Sequence, residues 1–227
     1  MSLSKVVLES ANKLGSLPGY VSALNKKSGI IVIQEWWGVN EQIRNLATNW
    51  FSNDFVAIVP DLYRGKVAVD HETAGHYFND LDWQGAVQDI QAASDFLHKN
   101  GVEKIGVVGF CMGGALSLAS AVLVNGIHAA APFYGIPGKE LADPAKARVP
   151  LQLHFGLKDQ LKGFSDPEAQ DNLEKVLKEN NINYEFFRYN ADHAFANDDP
   201  TNTARYDKES AELSRQRVVE FFRKQLN

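Results

Sequence analysis

Gly106-Val107-Val108-Gly109-Phe110-Cys111-Met112-Gly113-Gly114 is the stretch on which the reading of this chain turns. It has the form G-x-C-x-G, a nucleophile-elbow pattern with cysteine at the centre. The apolar run Ile105 to Val108 leads into it and reads as a buried strand, and Ala115 to Val124 follows as a helix. Glycines at 109 and 113 remove Cβ atoms where strand and helix must approach around a strained turn. Such a turn lifts one side chain clear of the sheet edge at a helix N-terminus. There the helix dipole favours negative charge and free N–H groups can receive an oxyanion. The same residues would also suit a buried structural cysteine at a packing turn.

Outward from the elbow, strand-like and helix-like runs alternate. Gly29 to Ile33, Phe55 to Val59, Ile105 to Val108, Ile127 to Phe133, Val149 to Phe155 and Tyr184 to Tyr189 read as strands. Glu41 to Phe51, Asp82 to Leu97, Ala115 to Val124, Pro167 to Glu179 and Asp207 to Gln225 read as helices. This rhythm predicts an α/β fold: a mostly parallel, doubly wound sheet with helices on both faces, in one domain spanning residues 1–227. Right-handed crossovers put the loops after the strands along one edge, where such folds place ligands. The irregular stretches 63–74, 135–148 and 191–206 are all expected on that edge.

The order of residues downstream of Cys111 sharpens the chemistry. Nucleophile-elbow enzymes carry an acid and then a histidine after later strands. Here Asp159 follows the strand ending at Phe155, and His193 follows the strand ending at Tyr189. An imidazole can take the thiol proton, and a carboxylate can fix its tautomer and stabilise its cation. Each residue alone reads better as an ordinary loop or capping residue. Together, in order and each after a strand, they make a candidate catalytic set. Glu35 ends the first apolar strand beside Trp36 and Trp37, where burial would raise a carboxyl pKa. His71 and His76 on the 63–80 stretch are candidate pocket donors. His98, His128 and His154 read as structural.

Six ordered motifs carry a resemblance: Gln34-Glu35-Trp36-Trp37-Gly38, Pro60-Asp61-Leu62-Tyr63-Arg64-Gly65, Gly109-Phe110-Cys111-Met112-Gly113-Gly114, Phe133-Tyr134-Gly135, His154-Phe155-Gly156-Leu157-Lys158-Asp159 and His193-Ala194-Phe195. In these the chain resembles the dienelactone hydrolases, a cysteine-dependent branch of the α/β-hydrolases. The resemblance implies a single-domain α/β-hydrolase fold and a triad of Cys111, Asp159 and His193. It implies that Glu35 sits beside the thiol and switches partners as substrate binds. The oxyanion donors would be the backbone N–H groups of Met112 and Trp36. The expected pocket is lined by Trp37, Tyr63, Arg64, His71, His76, Phe78, Tyr134, Phe195 and Asn197. Known members hold a substrate carboxylate with two arginines. Here the corresponding positions are Asn197, four residues after the histidine, and, by alignment, His71. Asp198 and Asp199 follow Asn197. A neutral or weakly anionic lactone is therefore the expected substrate.

Composition excludes other classes. A net charge of −5 gives no basic surface for nucleic acid. The longest apolar run, Met112 to Val124, falls short of the roughly 18 residues of a membrane span. The N-terminal residues form no apolar leader segment. One cysteine and scattered histidines lack metal-ligand spacing, and no phosphate-binding glycine motif occurs, so no metal or cofactor is expected. The lone cysteine points to a reducing, cytoplasmic setting. The expected protein is a monomer hydrolysing a small lactone or activated ester through a thioacyl intermediate. Two alternatives are a binding module with negligible turnover and a redox-sensing thiol.

Overall fold

The computed structural model describes residues 2–200 and 205–227. Its centre is an eight-stranded sheet of order β1-β2-β4-β3-β5-β6-β7-β8. β3 (Ser28–Ile33), β4 (Val56–Pro60), β5 (Lys104–Phe110), β6 (Ala129–Phe133), β7 (Leu151–Gly156) and β8 (Tyr184–Tyr189) are mutually parallel. β3 to β7 are almost entirely buried, which is why they read as unbroken apolar runs.

Two strands are additions to the sequence reading. β1 (Ser4–Leu8) and β2 (Leu17–Val21) form an antiparallel edge, β2 pairing with β4. β1 is largely exposed and β2 contains Pro18 and Gly19, so neither shows a clean apolar run. A third addition is α2 (His71–Asn79), inside the stretch expected to be irregular. Asp70 caps it by accepting from the Thr73 N–H, while Gly75 and two histidines dilute its periodicity.

The remaining helices are α1 (Glu41–Phe51), α3 (Trp83–Lys99), α4 (Met112–Leu123), α5 (Pro167–Glu179) and α6 (Lys208–Leu226). Two apolar cores lie on opposite faces of the sheet. One joins Ile31, Ile33, Val107 and Leu153 to α3, α4 and α5. The other joins Ile30, Val32, Val108 and Phe133 to α1 and α6. Alternate residues of one strand thus feed opposite cores, the period of two that a doubly covered sheet demands. α4 begins at Met112, three residues earlier than its apolar spacing suggested, so Cys111 caps the helix directly.

Candidate active site

The C-terminal ends of β3 to β8 gather the chemical side chains. Cys111 stands between β5 and α4 with φ +55°, a left-handed conformation rare for a non-glycine residue. Close approach on both sides fixes the turn. A Cβ on Gly109 would lie 1.9 Å from the Gly113 carbonyl oxygen, and one on Gly113 would lie 2.5 Å from the carbonyl oxygens of Ile33 and Gln34. The elbow therefore packs against the end of β3, which delivers Glu35 and Trp36. Met112 is the first residue of α4, so its N–H has no acceptor within the helix. Tyr134 (φ +38°) and Ala194 (φ +59°) also have left-handed backbone beside the site, and such strain gathers where surroundings over-determine a conformation.

Asp159 and His193 form a buried pair. His193 Nδ1 lies 2.7 Å from Asp159 Oδ2, so Nδ1 carries the proton it shares with the carboxylate. Asp159 Oδ1 also accepts the Leu161 N–H at 3.0 Å. Burial alone would raise the Asp159 pKa, yet the bonds to His193 and the Leu161 amide leave it below the ordinary value. Burial likewise disfavours the His193 cation, but the Cys111 thiolate and Asp159 outweigh it and push the imidazole up to about 10. His193 Nε2 is buried and makes no well-formed hydrogen bond among the described residues. Cys111 nonetheless acts on the ring both by its charge and as a hydrogen-bond partner, each raising the imidazole pKa.

A second network surrounds Glu35, which is 6% exposed. Tyr134 Oη donates to Oε1 at 3.1 Å and Asn197 Nδ2 donates to Oε2 at 2.8 Å. Burial still dominates and holds the carboxyl above its ordinary pKa. Tyr134 is fully buried, with its ring 5.1 Å from that of His193, so the Glu35 network abuts the pair.

The structure brings Cys111, Asp159, His193, Glu35, Tyr134, Asn197 and Tyr63 together, and sets other expected pocket residues apart. Arg64 offers no cation to a ligand. Its guanidinium is tied to buried Asp89 on α3 and to the Gly15 carbonyl. His76 is 70% exposed and faces Glu72 on its own helix at 4.0 Å. His71 is exposed, with its ring 5.8 Å from Trp36 and 5.0 Å from Trp37. Phe195 is fully buried against Tyr134 and Tyr189, in the core beneath the site. Asn197 lies behind Glu35 at 2% exposure, away from the rim. Residues 201–204 of the expected 191–206 loop lie outside the described residues.

Ser165 was not singled out from the sequence. It is fully buried, with Oγ 3.2 Å from His193 Nδ1. Because that nitrogen's proton points to Asp159, the hydroxyl steadies the carboxylate instead, and it contributes to lowering its pKa. His154 is structural, as expected. It stacks on Phe133, accepts from Tyr189 Oη at 2.8 Å and donates to Gln152 Oε1 at 3.0 Å. Burial holds it neutral, well below the ordinary imidazole pKa.

One aromatic ring away from His193, Phe164 opens onto a groove of about 480 Å³. Phe78, Leu81, Trp83, Ile136, Leu141 and Phe164 give it apolar walls, and Asp82 and Glu140 line it too. No Lys or Arg is among its lining residues. Among the described residues, no cluster of His, Cys, Asp or Glu has the grouping of a metal site. No described helix is long and apolar enough to cross a membrane.

A mostly parallel sheet, a strained turn after its central strand and side chains gathered at the strand ends define an α/β-hydrolase. Within that class the chain belongs to the dienelactone hydrolase family, whose model it matches over residues 17–226. It is 32% identical to Protein usf of Aquifex pyrophilus over 87% of this chain and 88% of that one. It is 27% identical to the carboxymethylenebutenolidase of Pseudomonas putida over 85% and 84% of the two chains. In fold it matches a dienelactone hydrolase-like promiscuous phosphotriesterase from metagenomic libraries, with a TM-score of 0.81 at 19% identity over all of both chains.

Proposed function

We propose that this chain, acting as a single-domain monomer, hydrolyses a small neutral or weakly anionic lactone or activated ester through a thioacyl intermediate on Cys111. The observation that carries the reading is the strained cysteine at a helix N-terminus beside a buried His193–Asp159 pair at 2.7 Å, with Cys111 acting on that imidazole by charge and hydrogen bonding. A thiolate–imidazolium pair is the resting state that this arrangement favours.

In the first half-reaction the Cys111 thiolate attacks the carbonyl carbon, forming a C–S bond while the π electrons move to oxygen. The N–H groups of Met112 and Trp36 receive that oxyanion. Collapse breaks the C–O bond, and the departing alkoxide takes the proton from His193 Nε2. In the second half-reaction neutral His193 removes a proton from water, the hydroxide oxygen attacks the thioester, and the thiolate leaves. Asp159 holds the imidazole in one tautomer throughout and stabilises its cation. Glu35 is a positioning residue: held by Tyr134 and Asn197, its charge bears on His193.

The groove beyond Phe164 supports the substrate class. Its walls suit an apolar fragment, and with Asp82 paired to Lys13 and no Lys or Arg in the lining, Glu140 leaves it without a cation for an anionic group. All the proposed catalytic groups come from one chain, which fits a monomer, and a lone working thiol fits a reducing cytoplasm. The test is a panel of neutral and carboxylate-bearing lactones, followed by intact-protein mass after mixing with an activated ester. Wild type should turn over and show a transient acyl adduct on Cys111. Cys111→Ala should retain under about 1% of the rate with its fold unchanged. Ligand binding without turnover would identify a binding module instead.

A further inference from the structure

Tyr63 is a buried polar group at the site to which this mechanism gives no task. It sits three residues beyond β4, in a turn secured from several sides. Asp61 Oδ1 accepts the Tyr63 N–H at 3.2 Å and Asp61 Oδ2 accepts the Gly65 N–H at 2.8 Å. Gln34 Oε1 accepts the Leu62 N–H at 3.1 Å, which ties the turn to the residue before Glu35. Arg64 is anchored to Asp89. The Tyr63 ring rests edge-on against Tyr77 at 5.3 Å.

This much fixing delivers the hydroxyl to a poor partner. Tyr63 Oη donates to Met112 Sδ at 3.2 Å, and a thioether is a weak acceptor. Met112 is the residue immediately after the nucleophile, whose N–H is the proposed oxyanion donor. The phenol is thus held within one side chain's reach of the place where negative charge would develop. Tyr63 is 8% exposed and Cys111 9%, and the two are near enough for the charge on Cys111 to act on the phenol.

We propose that the Tyr63 hydroxyl is a third oxyanion donor, released from Met112 Sδ to the substrate oxygen as the tetrahedral intermediate forms. No proton changes owner: the O–H stays on the phenol and only its acceptor changes, from a thioether to an alkoxide-like oxygen. An ionised acceptor makes a hydrogen bond about twice as strong as a neutral one, so the exchange favours the transition state over the resting enzyme. Burial, reinforced by the nearby thiolate, raises the phenol pKa, so it remains a donor across the working pH range. The inference rests on the proposed thioacyl chemistry.

Tyr63→Phe removes one oxygen whose partner is a thioether, so the fold is not at stake. The experiment measures kcat and KM for this variant on esters sharing one acyl group with leaving groups from nitrophenol to simple alcohols. Tyr77→Phe serves as the packing control, and melting temperatures accompany both. The expected result is a fall in kcat/KM of about 100-fold, carried by kcat and uniform across leaving groups, with the melting temperature unmoved. Tyr77→Phe should stay within about threefold of wild type. A Tyr63→Phe loss under threefold, a loss in KM alone, or a loss that grows as the leaving group becomes poorer would each overturn the assignment. The last would make Tyr63 a proton donor to the departing oxygen. Wild type acylated at Cys111 and turning over, with Tyr63→Phe equally active, would sink this inference alone. Wild type without Cys111-dependent turnover would sink the thioacyl reading as well.

Discussion

Asp159 and Asp89 are both almost fully buried carboxylates, each paired with a cationic partner, and they do different things. Asp89 is saturated. Ser10 Oγ donates to it at 2.6 Å, Asn12 Nδ2 at 3.0 Å, and both Nη atoms of Arg64 complete the set. The N-terminal segment, the 60s turn and α3 are thereby fastened at one point. Asp159 instead engages an imidazole on which Cys111 also acts, by charge and hydrogen bonding. Arg64 has one unpartnered nitrogen, its Nε, but a guanidinium never gives up its proton at working pH. A carboxylate against a permanent cation stabilises a shape. A carboxylate against a titratable ring adjusts a proton.

The sharpest way to break this comparison is to remove charge at each site with the least change of shape. Asp159→Asn should lower kcat by about 10⁴, as happens when an orienting triad acid becomes an amide, while the melting temperature changes little. A loss under tenfold would hand the role to another carboxylate, with Asp192 the first to try. Asp89→Asn should behave in the opposite way. It leaves the half-buried Arg64 guanidinium without its counter-charge, at a cost of up to about 3–5 kcal/mol and a fall in melting temperature of roughly 10 °C. The folded fraction should keep most of its kcat. If Asp89→Asn cut the kcat of folded enzyme a hundredfold, the fastening and the chemistry would not be separable.

The contrast was only half legible in the sequence. Asp159 and His193 could be found because an elbow-type mechanism requires each after a later strand, and strands show as apolar runs. Asp89 sits inside α3 and Arg64 lies 25 positions earlier. A polar pair between two elements leaves no periodic trace, so Arg64 was expected only to line the pocket. Asn197 misled similarly, since its place four residues after His193 pointed to a substrate contact. The chain turns there so that the amide reaches Glu35 instead. Cys111 was readable as the centre of a strand-to-helix turn. Ser165 was not, because a hydroxyl behind a histidine is set by how β7 and β8 lie side by side.

The titratable half of the comparison has a pH signature. His193 has its folded pKa raised above the ordinary imidazole value, towards about 10. Its contribution to stability is complete below about pH 6.5 and is lost as pH rises through the folded value. The alkaline limb of kcat/KM should likewise lie well above pH 7, because leaving-group protonation needs the imidazolium. Asp159→Asn removes one cause of the raised value and should move that limb down. Cys111→Ala removes the foremost favourable cause and should flatten the decline in melting temperature between pH 7 and 10. An alkaline limb near pH 6.5 in wild type would show that the ion pair is not the working form.

The smallest expected effect separates a residue that touches substrate from one that acts through another. Asn197 donates one of the two hydrogen bonds that hold Glu35, the other coming from Tyr134. Asn197→Ala leaves Glu35 with less support for its charged form, in a site where burial already raises its pKa. The carboxyl should then hold its proton to higher pH, and the negative charge it lends His193 should fade with it. Loss of one such bond is worth about 1.5–3 kcal/mol when the acceptor is charged, but the reacting atoms feel it only through Glu35. A fall in kcat/KM of about tenfold or less is expected, larger at low pH and recovering as Glu35 ionises. Because Asn197 lies behind Glu35, a matched neutral and anionic lactone should lose equally, and their ratio should stay within about threefold of wild type. Asn197→Asp, placing a second carboxylate against Glu35, should exaggerate the pH dependence without changing that ratio. A ratio that moved tenfold in either variant would put Asn197 on the substrate, and the Glu35 network would then belong to specificity.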